Sequence, residues 1–379
     1  MSKITKKIKV AVIFGGRSGE HEVSLVSAAS VMQALDRSKY DLLPIGITKE
    51  GRWVSGENSL GLLKEIKEEL LPAVKVILTC DPAEKKLFKI DDNNQKNVLT
   101  SQEKIDVVFP IIHGTYGEDG SLQGLLEMAG IPYVGAGVLG SAIGMDKVVQ
   151  KKIFLHDKLP VTKFISLTRS DYQNYSIKQI LNKLKLPIFV KPANLGSSVG
   201  INKAHNENEL KEFIKIAFDY DNKIILEQGI NKIREIEVSV LGNSQPIASV
   251  PGEIVPSNEF YDYDAKYVDG KSKAIIPAKL SPKLVSKIQK IAVQAYQSAE
   301  CSGMARVDFF LKGQKVYLSE INTIPGFTSI SMYPKLWEAT GLSYSELLDR
   351  LIYLALEKDQ QKKQLKTSYE PKNNWYQQS

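Results

Sequence analysis

An almost unbroken apolar run, Ile8–Phe14, meets a turn of small residues, Gly15-Gly16-Arg17-Ser18-Gly19. A helical pattern then extends from Glu20 to Leu35, and a second apolar run covers Tyr40–Ile47. A strand with so little polar alternation has to be covered on both faces, as parallel strands in α/β folds are. The opening therefore reads as a βαβ unit, with Ser18 available as helix cap and Val23, Val26 and Ser30 on one helix face. Ile105–Ile112 repeats the buried-strand pattern and ends in the loop His113-Gly-Thr-Tyr-Gly-Glu-Asp-Gly120. This alternation predicts a doubly wound α/β domain over residues 1–140. Residues 52–100 are rich in lysine and glutamate and weakly patterned apart from Val74–Thr79, so they read as an elaboration of that domain.

Composition narrows the class. A chain of 379 residues makes two or three domains the expectation, and 25% charged with 43% hydrophobic residues excludes disorder, collagen and coiled coil. No apolar run approaches the ~18 residues of a membrane span, so no membrane partner is expected. The basic-then-apolar stretch Lys6–Phe14 has no small-residue cleavage site after it and reads as a first strand, not a leader. Cys80 and Cys301 match no metal or disulfide spacing, which points to a reduced, cytoplasmic protein. The net charge of +7 comes from scattered lysines without a basic-aromatic face, so no nucleic acid is expected either. A protein drawn to nucleic acid by that charge would instead lose affinity steeply with salt.

Beyond residue 140 the pattern changes. Residues 141–232 carry strands at Ile188–Lys191 and Gly200–Lys203, which flank the small-residue loop Pro192–Val199, and a further strand at Ile224–Glu227. Residues 233–358 alternate polar with apolar over Glu235–Leu241, Gln245–Val250, Ala305–Leu311 and Val316–Ile321, the mark of an antiparallel sheet. The stretch after Glu357, residues 359–379 above all, is a polar, frayed tail.

The strongest chemical signal lies in the last two strands. Arg306 and Asp308 share one strand face, as do Glu320 and Asn322. A three-residue loop centred on Gln314 sets Asp308 opposite Glu320 and Arg306 opposite Asn322, whereas a two-residue loop separates the two acids. Facing carboxylates repel unless neutralised, and Asp, Glu and Asn oxygens suit magnesium or manganese. The alternative is a solvated surface pair.

Other signals are weaker alone. Lys191 ends a strand before Gly196-Ser197-Ser198-Val-Gly200, where small residues let backbone N–H groups approach an anion without the Walker pattern; a plain turn is the competing reading. Lys147 by itself is an ordinary helix lysine. Glu227-Gln228-Gly-Ile230 followed by Glu235 offers backbone atoms for a base and a carboxylate for ribose hydroxyls, or else an edge strand with solvated acids. The long loop around Phe260–Tyr267 carries aromatics and Lys266, in keeping with a lid. Glu22 and His113 follow strand ends, where doubly wound sheets bind ligands. The loop from Asn322 through Gly326 to Ser331 and Met332 supplies N–H and hydroxyl groups for an anion hole.

Together these motifs resemble one family, the D-alanine–D-alanine ligases of the ATP-grasp superfamily. Gly15-Gly-Arg-Ser-Gly-Glu-His-Glu-Val-Ser-Leu, His113-Gly-x-x-Gly-Glu-Asp-Gly, Gly196-Ser-Ser-Val-Gly and Glu320-x-Asn-Thr-x-Pro-Gly occur in that order, and the likeness runs from about residue 8 to 355. The resemblance implies an ATP-grasp fold, with two α+β subdomains enclosing ATP beside the doubly wound domain. It implies that ATP phosphorylates one D-alanine and that the amine of a second displaces phosphate, giving D-alanyl-D-alanine for peptidoglycan. Lys147, Lys191, Ser197 and Ser198 would hold phosphates, Glu227, Gln228 and Ile230 adenine, and Glu235 ribose. Asp308, Glu320 and Asn322 would ligate two Mg2+ (or Mn2+). Arg306 and the Gly326 N–H would form the oxyanion hole. Glu22 would bind the first D-alanine ammonium with support from His113, and Ser331 and Met332 the second carboxylate. Lys266 and Tyr267 would close over the site, and a tyrosine at 267 favours the dipeptide over D-alanyl-D-lactate. A homodimer is implied by the resemblance alone. The alternatives are a D-alanine–D-lactate or D-alanine–D-serine ligase and a nucleotide-binding regulator without catalysis.

Overall fold

The computed structural model describes residues 6–56, 61, 74–91, 98–196, 199–255 and 273–369. The expectations for Ser197, Ser198, Lys266 and Tyr267 lie outside the described residues.

The first sheet has the order β6-β5-β4-β3-β2-β1-β7 and contains β1 (Ile8–Gly15), β2 (Tyr40–Ile47), β3 (Trp53–Ser55), β4 (Val74–Leu78), β5 (Lys86–Asp91), β6 (Val98–Lys104) and β7 (Val107–Pro110). β1 pairs in parallel with β2 on one side and β7 on the other. Its alternate residues bury into two separate cores: Val10, Val12 and Phe14 into one, Ala11 and Ile13 into the other. That double covering is why the run lacks polar alternation. The weakly patterned 52–100 region supplies β3 to β6, an antiparallel extension of the sheet edge.

α1 (His21–Ala34) starts one residue later than its pattern predicts, and no side chain caps it. Ser18 Oγ instead accepts the Glu20 N–H at 3.1 Å within the turn. The buried face carries His21, Ser24, Leu25, Ala28 and Val31; Val23 is buried too, but Val26 is exposed and Ser30 half-buried. Close approach to the sheet selects that face, because Ser24 Oγ accepts the Gly15 N–H at 2.7 Å and donates to the Ile111 carbonyl. Gly15 sits at φ +86°, and a Cβ there would lie 2.2 Å from the Ile47 carbonyl oxygen, so the turn needs glycine.

After β7 come α2 (Ser121–Met128), α3 (Val138–Met145) and α4 (Lys147–His156). The second sheet, ordered β10-β9-β11-β8, is antiparallel and built from β8 (Phe164–Thr168), β9 (Ile188–Pro192), β10 (Asn202–Ala204) and β11 (Lys223–Gln228). α5 (Arg169–Tyr172), α6 (Ile177–Lys183) and α7 (Glu207–Tyr220) accompany it, with Ile180, Leu210, Ile214 and Phe218 in its core.

The third sheet runs β15-β14-β12-β16-β17, with β13 beside β12. Its strands are β12 (Arg234–Gly242), β13 (Ile247–Ala248), β14 (Gly252–Val255), β15 (Lys273–Ile275), β16 (Gly303–Lys312) and β17 (Lys315–Asn322). α8 (Pro282–Ser298) covers one face through Leu284, Ile288, Ala292 and Tyr296, against Ile236, Val238, Val307 and Phe309.

The β16–β17 hairpin reaches the expected pairing by a different route. Lys312 pairs with Lys315, so the turn is the two-residue Gly313-Gln314, with Gly313 at φ +59°. A register shift between Asp308 and Phe309 then leaves Ser319 as an extra residue, and the bulge restores Asp308 opposite Glu320 and Arg306 opposite Asn322.

α9 (Met332–Ala339) and α10 (Tyr344–Lys363) close the fold. Trp337, Leu348, Leu351 and Ile352 join Val10, Phe109, Leu241 and Met304 in one core, so the C-terminal helices bind the first sheet to the third. α10 continues past Glu357 to Lys363, six residues beyond where fraying is expected, where Lys363 pairs with Asp359. Among the described residues, no helix is long and apolar enough to cross a membrane.

Candidate active site

A cleft of about 390 Å³ opens between the second and third sheets. Its lining brings Lys191 from β9, Glu227, Gln228 and Ile230 from the end of β11, and Glu235 from β12 together with Arg306, Asp308 and Glu320. Five of the residues expected to hold a nucleotide thus meet two expected metal ligands, Asp308 and Glu320, and the expected oxyanion-hole arginine, Arg306. Lys147 joins them from the start of α4. Asp146 caps that helix by accepting the Val148 and Val149 N–H groups, and Lys147 Nζ donates to the Leu195 carbonyl at 2.6 Å, 3.9 Å from Glu320. Lys147 is therefore turned inward to the glycine loop, not to solvent.

Glu227 is buried with two lysines. Lys151 Nζ lies 2.6 Å from Oε1 and Lys191 Nζ 2.5 Å from Oε2, and Thr162 Oγ1 donates to Oε1 at 3.2 Å. Burial opposes ionisation, but the two ammonium groups outweigh it and hold the carboxyl at about 2. Lys151 was invisible as a site residue in the sequence; its only signal is the four-residue spacing from Lys147 on the same helix.

The third-sheet wall is a charge cluster. Arg306 Nε and a terminal nitrogen donate to both Asp308 oxygens at 2.7 and 2.6 Å, and Nε lies 3.1 Å from Glu237 on the neighbouring β12. Asn322 Nδ2 donates to Asp308 at 3.0 Å. Burial works against the Arg306 charge, yet Asp308 and Glu237 more than offset it and raise its pKa. Among the described residues no three acidic, imidazole or thiol groups converge as a ready cation cage. The opposed Asp308 and Glu320 with the Asn322 carbonyl instead suit magnesium, which keeps waters and phosphate oxygens around one or two carboxylates.

Loops from the first sheet pack against the segment that follows Asn322. His113 is buried, with Nε2 3.1 Å from Ser27 Oγ and Nδ1 3.0 Å from the Ile324 carbonyl oxygen, and burial lowers its pKa. Glu118 accepts the N–H groups of Gly114 at 3.0 Å and Ile324 at 3.2 Å. These contacts fasten the His113 loop to the segment leading to Gly326. Gly326 in turn abuts Ser331, whose Oγ would lie 2.7 Å from a Cβ there. Met332 opens α9, where the first N–H groups of a helix lack intrahelical acceptors, while the N–H of Ser331, its N-cap, donates to the Thr328 carbonyl at 3.0 Å.

Glu22 does not belong to this assembly. Its side chain is 59% exposed and pairs with Lys49 at 2.5 Å, itself 58% exposed. The acid facing the site is Glu20, 8% exposed at the head of α1. A Cβ on Gly196 would lie 2.7 Å from Glu20 Oε1, so this carboxylate touches the glycine loop. Position after a strand end and the family resemblance point to Glu22, but Glu22 lies on the exposed side of α1 and Glu20, in the turn at its N-terminus, faces inward.

Comparison with known proteins identifies the family. Residues 9–136 match the family model described as D-ala D-ala ligase N-terminus, and residues 153–353 the one described as D-ala D-ala ligase C-terminus. The chain belongs to the D-alanine–D-alanine ligase family. Membership makes it an ATP-dependent ligase. Among family members, the D-alanine–D-alanine ligase of Natranaerobius thermophilus is 51% identical over 370 residues, covering 96% of this chain and 99% of the relative. That of Caldicellulosiruptor bescii is 50% identical over 370 residues, with the same coverage. The fold is that of solved family structures. The D-alanine–D-alanine ligase from Coxiella burnetii superposes with a TM-score of 0.81 at 37% identity, covering 95% of this chain and 97% of that one. The VanG D-Ala:D-Ser ligase from Enterococcus faecalis gives 0.82 at 38%, covering 92% and 100%. The ATP-grasp architecture expected from the motifs is therefore present.

Proposed function

We propose that this chain joins two D-alanine molecules, using ATP, in the cleft between the second and third sheets. The observation that carries the reading is the convergence of Lys147, Lys191, Glu227, Glu235, Arg306, Asp308 and Glu320 around one cavity. Glu227, Gln228 and Ile230 hold the base and Glu235 the ribose, while Lys147, Lys191 and the loop at Ser197 and Ser198 hold the phosphates. Asp308, Glu320 and Asn322 would hold Mg2+, which supplies charge neutralisation along the β- and γ-phosphates when bound.

The carboxylate oxygen of the first D-alanine attacks the γ-phosphorus, the bond to the β-phosphate oxygen breaks, and ADP leaves with that electron pair. The ammonium of the second D-alanine gives one proton to solvent, the free amine adds to the acyl carbon, and the nitrogen releases a second proton to solvent as the amide forms. The resulting oxyanion accepts N–H donors from Arg306 and the Gly326 backbone, and collapse expels inorganic phosphate. Glu20, in place of Glu22, pairs with the first ammonium. His113 has both ring nitrogens engaged, so it shapes this subsite by holding the Ile324 segment. Ser331 and the Met332 N–H take the second carboxylate, and Lys266 and Tyr267 close over the reactants. The first sheet with its loops (1–140), the nucleotide subdomain (141–232) and the metal-site subdomain (233–358) divide these tasks. Family likeness supports a cytoplasmic homodimer acting in peptidoglycan precursor synthesis.

The test is an oxygen-transfer experiment with D-alanine labelled with 18O in its carboxylate. One label atom passes to inorganic phosphate for each peptide bond if the acyl phosphate forms. Peptide formation with unlabelled phosphate would contradict this route.

A further inference from the structure

The nucleotide reading above leaves Lys151 without a task. It is 2% exposed and lies outside the cleft lining, behind Glu227. A fully buried lysine is rare unless paired, because removing an ammonium from water is costly. Here the pairing is specific. Lys151 Nζ lies 2.6 Å from Glu227 Oε1 and donates to Thr162 Oγ1 at 3.4 Å, while the Thr162 hydroxyl donates to the same Oε1 at 3.2 Å. Both groups grip one oxygen, Lys151 from outside the cleft lining and Thr162 from within it. The other oxygen, Oε2, meets Lys191, whose side chain lines the cleft.

The two lysines therefore have different freedom. Lys191 is in the cleft and is drawn toward phosphate when a triphosphate enters. Lys151 is enclosed and stays. From this asymmetry we infer that Lys151, with Thr162, is a positioning residue for base selection: it keeps Glu227 ionised and fixed in rotamer while Lys191 turns to the nucleotide. An ionised carboxylate only accepts hydrogen bonds. It favours a base carrying an exocyclic amine, as adenine does, and disfavours one carrying a carbonyl at that place, as guanine does. Without Lys151, loss of Lys191 to the phosphates would leave a buried carboxylate with one hydroxyl partner, which then protonates or swings away.

The inference rests on the nucleotide reading of the cleft, and the two fail differently. The experiment measures KM for ATP and GTP, kcat, and KM for D-alanine in the full chain carrying Lys151→Met, Glu227→Gln or both. In Lys151→Met, KM for ATP rises about tenfold, the size of a lost charge-assisted contact, while kcat and KM for D-alanine stay within about twofold. ATP-over-GTP discrimination falls by a similar factor. Because Lys151 acts through Glu227, adding Lys151→Met to Glu227→Gln changes KM for ATP by less than about twofold. Two equal, independent losses in the double variant would overturn the inference, as would an unchanged ATP/GTP ratio in Lys151→Met. Should Lys151→Met not fold, Thr162→Val carries the same test: reduced ATP/GTP discrimination supports the clamp, and unchanged discrimination overturns it. If neither Glu227→Gln nor Lys151→Met alters nucleotide discrimination, the nucleotide reading itself is wrong; if only Glu227→Gln does, the clamp alone is.

Discussion

Replacing Glu20 with glutamine separates the two acids of the first turn cleanly. Glu20 is buried against the glycine loop at Gly196, while Glu22 stands in solvent beside Lys49. The variant keeps the side-chain shape but removes the charge that faces an ammonium in a shielded place. A hydrogen bond to a charged group contributes ~1.5–3 kcal/mol, so kcat/KM for D-alanine should fall roughly 10- to 150-fold. Glu22→Gln disturbs only an exposed ion pair, which contributes at most ~1 kcal/mol to stability, and leaves kcat/KM within about threefold. Initial rates of phosphate release at varied D-alanine and saturating ATP read both variants. Glu22→Gln as impaired as Glu20→Gln, or Glu20→Gln near normal, would refute the assignment.

Glu118 makes stability depend on pH. Burial, followed by repulsion from Glu20, raises its pKa from 4.5 to about 8. Between those values the folded chain keeps a proton that the unfolded chain releases, so stability falls as pH rises through the window. Thermal midpoints taken from pH 5 to 8 should decline, and Glu118→Gln should flatten the decline; an equal slope in both would reject the cause. Arg306→Met strands Asp308 and Glu237 without their partner and should cost ~3–5 kcal/mol in denaturant unfolding, with turnover lost. Unfolding within ~1 kcal/mol of the parent would show that the pair is not buried as described. Gly15→Ala forces a Cβ to 2.2 Å from the Ile47 carbonyl at φ +86°, a cost above the ~1–3 kcal/mol of backbone strain alone. Gly19→Ala, with nothing within 4 Å, should stay within about 0.5 kcal/mol, and equal midpoints for the two would contradict the geometry.

Much of this architecture was legible because the patterns report burial. Ile8–Phe14 lacks alternation since both faces are covered, and 304–322 alternates since one face is core and the other cleft. What escaped was decided by local geometry without a periodic signal. The hairpin places Asp308 against Glu320 through a bulge at Ser319 and a two-residue turn, two deviations that cancel in the pairing and leave no trace in residue spacing. Glu20 and Glu22 are both acids two residues apart near a helix start, and only the point where the chain enters α1 decides which faces inward. Lys151 looks like any helix lysine until β11 brings Glu227 beneath it. Glu237, one step beyond Glu235 on the same strand face, falls in the alternating run Glu235–Leu241, and nothing in that pattern shows that it shares Arg306 with Asp308. The strands of the 52–100 region sit at a sheet edge, where weaker burial blurs the apolar pattern.

The most direct test of the whole account is product identification by mass after incubation with ATP, magnesium and D-alanine alone, with phosphate measured in parallel. The expected result is D-alanyl-D-alanine and one phosphate per dipeptide, with no turnover of L-alanine. Release only when D-lactate or D-serine is added, or no release at all despite ATP binding, would contradict it.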